Sequence, residues 1–237
     1  MNDKPKLLTV LDILSVLLFL VAVGMVFFYA PLERVMGLVQ KVFYFHVATA
    51  WIGMLGFLVA MAAGIIYLAT HRSRPNARNW DIVEMAGVEI GLVFTLICII
   101  TGSIWARPIW NSWWTWDPRL TTVTIMELAY AAYLMLRAGI EDPERRARFG
   151  AVYAIVAFLS VPLTFFSIRI WRTIHPVVIG GSDPNATGAF DMTPKMLATF
   201  LTSLLTFTII FATLLWHRIR MGKLAEKVEQ LKLRLTQ

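Results

Sequence analysis

Runs of about 20 apolar residues, the length a helix needs to cross the ~30 Å hydrocarbon core of a bilayer, recur six times along this chain. They fall at 7–30, 42–70, 82–106, 119–137, 149–168 and 196–216. In lipid a segment must satisfy its own backbone, and an α-helix does so internally. The composition points the same way: 58% of residues are hydrophobic and 16% charged, with a mean hydropathy of +0.66, well away from soluble averages. The expected fold class is an all-α integral membrane protein, with a six-helix transmembrane domain at 1–216 and a cytoplasmic amphipathic tail at 217–237. The first run is too long for a cleavable signal and lacks a small-residue cleavage pattern, so it is read as a spanning helix. Cys98 is the single cysteine and lies within an apolar run. That excludes a disulfide framework, a CxxC pair and a covalent CxxCH haem attachment.

Six spans place both termini on one side, and Lys and Arg decide which. One set of ends carries Lys4 and Lys6, the arginines at 72, 74 and 78, those at 137, 145, 146 and 148, and a cluster from Arg218 to Arg234. The opposite set carries fewer of the 22 basic residues: Arg34, Lys41, Arg107, Arg119, Arg169, Arg172 and Lys195. The termini are therefore expected in the cytoplasm, with loops 31–41, 107–118 and 169–195 on the external, periplasmic face. The net charge of +7 follows this asymmetry and speaks for a lipid bilayer partner, not nucleic acid. Within loop 169–195, "GGSDPNATG" reads as turn-rich. In the tail, Leu224, Val228, Leu231 and Leu235 recur at helical spacing, as in an amphipathic helix on a membrane surface or against a partner.

The chemistry-bearing side chains gather on the external side. His46 sits one turn inside the second span. Thr49, Ala50, Gly53, Gly56, Ala60 and Gly64 follow it at helical spacing, a small-residue face of the kind that packs on other helices. His175 lies just beyond the fifth span, whereas His71 and His217 are at cytoplasmic helix ends. Between the third and fourth spans, "IWNSWWTWDPRL" places Trp110, Trp113, Trp114 and Trp116 within seven positions. Neutral imidazoles ligate haem iron, indoles offer flat apolar area, and Arg107, Arg119, Arg169 and Arg172 are able to take propionates bidentately. A planar macrocycle with a central metal would use all three. The plainer readings are an interfacial aromatic belt for the tryptophans and a helix cap for Asp117, which precedes Pro118 at a helix start. Glu89 and Glu127 fall inside spans, where carboxylates are functional candidates. A haem-free transporter subunit and a b-type electron-transfer subunit are the competing functional classes.

"WWTWDPRLT" resembles the tryptophan-rich WWD signature of haem-handling proteins in cytochrome c maturation. With the six runs, "FYFHV" and "VPLTFFSIRIWRTIH", the chain resembles the haem exporter protein C (CcmC) family over nearly its whole length. The resemblance implies that His46 and His175 are haem iron ligands and that Trp110, Trp113, Trp114, Trp116 and Asp117 form the haem platform. It implies haem b, held transiently and non-covalently, presented to the haem chaperone CcmE beside the ABC transporter subunits CcmA and CcmB and the small subunit CcmD in a bacterial cytoplasmic (inner) membrane. It further implies a haem-presenting protein, not an enzyme; the sequence carries no nucleotide-binding motif. Asn111 stands in place of the family's glycine at the loop's backbone turn, and Pro118 in place of a common alanine.

Overall fold

The computed structural model describes residues 4–33, 36–71, 77–176 and 192–235. Every regular element among them is helical: α1 (Lys6–Gly24), running into a π-helical turn (Met25–Tyr29), α2 (Gln40–Thr70), α3 (Arg78–Trp110), α4 (Pro118–Ala138), α5 (Pro143–Ala157), α6 (Ser160–Ile170) and α7 (Pro194–Leu235). Helices form at all six predicted runs, but five of them are both long and apolar enough to cross a membrane. The chain is a multi-pass membrane protein. The exception is α4, whose 21 residues reach about 30 Å at 1.5 Å per residue. Its sequence carries Arg119, Glu127 and Arg137, which lowers its apolarity without shortening it. The turn-rich stretch at 180–188, and Arg34, Arg72 and Arg74 of the charge asymmetry, lie outside the described residues.

The small-residue face of α2 does what its spacing predicts. α2 and α3 are the most extensively packed pair of helices, and glycines make the approach possible. A Cβ on Gly56 would lie 2.7 Å from the Gly87 carbonyl oxygen and 2.8 Å from the Gly91 backbone, and one on Gly64 would lie 3.1 Å from the Ala151 carbonyl oxygen. Phe57 stacks on Tyr130 with ring centroids 3.6 Å apart, joining α4 to the same core. The fifth predicted run is two helices: α5 stops at Ala157 and α6 begins at Ser160, which puts Pro162 in the first turn of α6, where its missing N–H is tolerated.

Ion pairs absorb most of the charge the spans carry. Arg137, which by its position belongs with the loop charges, has a buried side chain: it donates to Asp81 at 2.5 Å and to the Tyr133 hydroxyl at 3.3 Å. Tyr133 in turn donates to Glu84 at 2.8 Å. A Cβ on Gly150 would lie 2.6 Å from the Arg137 guanidinium, so α5 leaves room for it. Glu89 makes a two-point pair with Arg218, Nη2 to Oε1 at 2.8 Å. It clamps α3 to α7. Glu127 keeps one carboxylate oxygen buried without a hydrogen-bond partner among the described residues.

α7 continues unbroken for 42 residues, roughly 60 Å at 1.5 Å per residue, so the tail expected from residue 217 continues the helix of the last apolar run. It is tied back to α3 by an Arg78–Glu226 ion pair at 2.5 Å.

The glycine seam yields a direct stability test. Gly56→Ala is expected to cost about 1–3 kcal/mol through overpacking, seen as a lowered thermal unfolding midpoint in detergent. Gly24→Ala, whose Cβ meets nothing within 4 Å, should unfold at or above the wild-type temperature.

Candidate functional site

α3 continues through Pro108 and ends at Trp110, and the residue that ends it is Asn111, with φ 54° and ψ 23°. Left-handed backbone suits glycine first and asparagine next. Arg107 holds the turn by donating to both the Asn111 carbonyl (2.9 Å) and its Oδ1 (2.5 Å). The turn is thus made without the family's glycine. Ser112 then donates to the Trp114 carbonyl at 2.7 Å, and the loop runs extended into Asp117.

Asp117 caps α4 as its sequence context predicts, accepting from the Arg119 N–H at 3.0 Å. Its carboxylate does more than cap. It accepts from the Thr173 hydroxyl on both oxygens, at 2.6 and 2.7 Å, and from the Ile174 N–H at 2.9 Å. Thr173 Oγ1 also accepts from the His175 N–H at 3.0 Å. One buried carboxylate therefore joins the end of the tryptophan loop to the segment that carries His175.

His46 and His175 meet, their ring centroids 6.4 Å apart. Each is anchored by Nδ1: His46 to the Cys98 carbonyl at 3.0 Å, His175 to the Pro176 carbonyl at 3.0 Å. A carbonyl only accepts, so Nδ1 carries the hydrogen in both rings, and in the neutral imidazole Nε2 then keeps its lone pair. That is the tautomer and orientation of a metal-ligating imidazole. Burial, with the Arg119 guanidinium and then His46 nearby, holds the His175 imidazole well below the ordinary histidine range, at about 3, so it is neutral at physiological pH. Gly102 makes room for His46: a Cβ there would lie 2.8 Å from Cε1 of the ring.

Two clefts meet at the histidine pair. One, of about 80 Å³, is lined by Trp105, Trp110, Trp113 and Trp114. The other, of about 230 Å³, is lined by Trp51, Phe165, Ile168 and Arg169. His46, Ala50, Met54, Arg119 and His175 border both. Trp110 stands edge-on to His175 at 6.4 Å and to Trp105 at 5.3 Å. Trp116 is not among the cleft residues; it is 74% exposed and packs edge-on against Trp114. Of the four arginines, Arg119 and Arg169 border the clefts, while Arg107 is engaged at the helix end and Arg172 is not among the cleft residues. Arg119 donates to the Thr164 and Phe165 carbonyls at 2.9 and 2.8 Å, which fixes its guanidinium between α4 and α6. His71 hydrogen-bonds the Leu68 carbonyl at 2.9 Å, and His217 pairs with Asp12 at 2.7 Å; neither approaches the clefts.

Sequence reasoning missed Gly102, Thr173 and Trp105. Trp105 borders the cleft and its Nε1–H is buried without a hydrogen-bond partner among the described residues. Its position in the same tryptophan-dense segment was an available signal. Thr173 and Gly102 had none.

The family model for haem exporter protein C matches residues 2–234. A relative of that name from Bradyrhizobium diazoefficiens is 31% identical over 86% of this chain and 74% of its own length. Another, from Rhodobacter capsulatus, is 29% identical over 99% of this chain and 93% of its own. One from Escherichia coli K12 is 29% identical over 82% and 74%.

The clamp predicts a pair of equivalent losses. Asp117→Asn sets an amide N–H₂ against donors, and Thr173→Val removes the bridging hydroxyl. Each should cost about 1.5–3 kcal/mol of local order, read as increased amide exchange at 173–175, and the double variant should cost little more than either alone. At the turn, Asn111→Gly should leave thermal stability unchanged, while Asn111→Val should lower it by about 1–2 kcal/mol.

Proposed function

The chain belongs to the haem exporter protein C family, and from that membership we propose that it binds haem b through His46 and His175 at the outer face of the cytoplasmic membrane. It then presents the haem to the chaperone CcmE for c-type cytochrome maturation. The observation that carries this reading is the pair of Nδ1–carbonyl anchors, which leaves two neutral Nε2 atoms available together. The two rings adjoin, with centroids 6.4 Å apart, so both imidazoles would be able to hold the same iron.

The remaining residues divide the work of holding and releasing. Trp110, Trp113 and Trp114 supply the apolar wall, and haem between the histidines would draw on both clefts at once. Arg119 and Arg169 are the arginines placed to meet propionates; Arg107 and Arg172 are not among the cleft residues. Trp116, exposed and not among the cleft residues, suits contact with the chaperone. Two nitrogen ligands, without a thiolate or a covalent link, suit a cargo that must leave. The chain makes and breaks no covalent bond in this reading, and any nucleotide-driven step belongs to the CcmA and CcmB subunits working with CcmD.

The topology belongs to the same proposal. Six crossings, with α4 as the fourth, put both termini in the cytoplasm and both histidines outside. A reporter fused after Gln237 should then read cytoplasmic and one inserted near Asn185 external. His46→Ala and His175→Ala should each lower haem occupancy by roughly ten-fold or more, at least the effect of losing a partner that merely orients a ligand, while His71→Ala and His217→Ala should not. Trp116→Ala should lower chaperone loading more than haem occupancy. Wild-type occupancy and loading in the His46→Ala, His175→Ala double variant would refute the assignment.

A further inference from the structure

The last two heptads of α7 carry an apolar seam that the bundle does not use. Met221, Leu224, Val228, Leu231 and Leu235 alternate in steps of three and four, the a and d positions of a coiled coil. Their exposures run from 44% at Val228 to 86% at Leu235. Isolated exposed apolar residues are ordinary on a surface, but a continuous stripe marks an interaction site.

The flanks of the seam specify its occupant. With Met221 at a, the e and g positions hold Arg220, Ala225, Lys227, Lys232 and Arg234: every charge beside the seam is positive. Of the acidic residues of this segment, Glu226 is turned away from the seam, and Glu229, at its margin, lies outside the e and g positions. Glu226 faces α3, paired with Arg78 at 2.5 Å, and Glu229 sits within 3.8 Å of Lys232. A second copy of this helix, parallel or antiparallel, would set like charges against each other across the seam, which disfavours self-pairing. A membrane-surface helix lies in the interfacial plane, whereas α7 runs without a break from its span into this segment. Gly222, the natural place for a bend, is helical and packed: a Cβ there would lie 2.5 Å from Ile82 Cγ2.

We propose that residues 221–235 form one half of a heterotypic coiled-coil contact whose partner is an amphipathic helix with acidic residues flanking its apolar stripe. Two heptads are too few to hold free helices together. Such a contact suits a partner kept close by the same membrane or complex, where effective concentration makes up the difference. The proposal is independent of the haem reading.

The test uses the full-length protein in phosphatidylcholine nanodiscs and two fluorescent three-heptad peptides with leucine at a and d, one with glutamate and one with lysine at e and g. Fluorescence anisotropy should show the glutamate peptide binding about ten-fold tighter or more, as expected for charge matching against like-charge contact. The Leu224→Glu, Leu231→Glu variant should lose that binding, and the Lys227→Glu, Lys232→Glu, Arg234→Glu variant should reverse the preference. An unchanged thermal midpoint would show that these exposed substitutions leave the bundle intact. Equal binding of the two peptides, or a preference that survives charge reversal, would overturn the proposal. So would tail-dependent dimers by mass photometry, or glutamate-peptide binding lost because phosphatidylglycerol in the disc captures the tail.

Discussion

One carboxylate organises the tryptophan-loop end of this bundle. Asp117 is 9% exposed and takes donors from the α4 backbone, the Thr173 hydroxyl and the Ile174 N–H. A buried carboxylate is costly unless its lone pairs are met, and here they are met by segments more than 50 residues apart in sequence. The same interactions that stabilise the charge fix the start of α4, the end of the tryptophan loop and the approach to His175. Remove the carboxylate and three elements lose their shared reference point.

The other ligand candidate is held by different means. His46 rides on α2, whose glycine-lined contact with α3 brings backbone against backbone. That closeness puts the Cys98 carbonyl within reach of Nδ1, while Gly102 leaves space for the ring. Helix packing thus orients one histidine and a loop clamp the other. A rigid anchor faces a loop-borne one, and loop segments open at lower free energy than packed helices; in the proposed function that difference serves uptake and release.

The sequence made the helices and the principal side chains legible because apolar runs, tryptophans and histidines are distinctive in themselves. Asp117-Pro118 announced the start of α4. The clamp to Thr173 was hidden because it joins residues 56 positions apart, and a threonine in a polar-aromatic segment carries no mark of its partner. Gly102 was hidden likewise: its meaning lies in the His46 ring opposite. Arg137 read as a loop cation because its position beside a loop was visible and its burial against Asp81 was not. The length of α7 was obscured by the drop in hydropathy after Trp216, where charge increases while helical spacing continues.

In the proposed function two imidazoles, each held through Nδ1, offer Nε2 to one iron. Electron paramagnetic resonance of the protein loaded with ferric haem tests it most directly. The account predicts a low-spin signal of bis-imidazole type that becomes high-spin in His175→Ala and is restored by added imidazole. A high-spin or thiolate-type signal from the wild-type protein, or a low-spin signal unaltered in both single histidine variants, would contradict it.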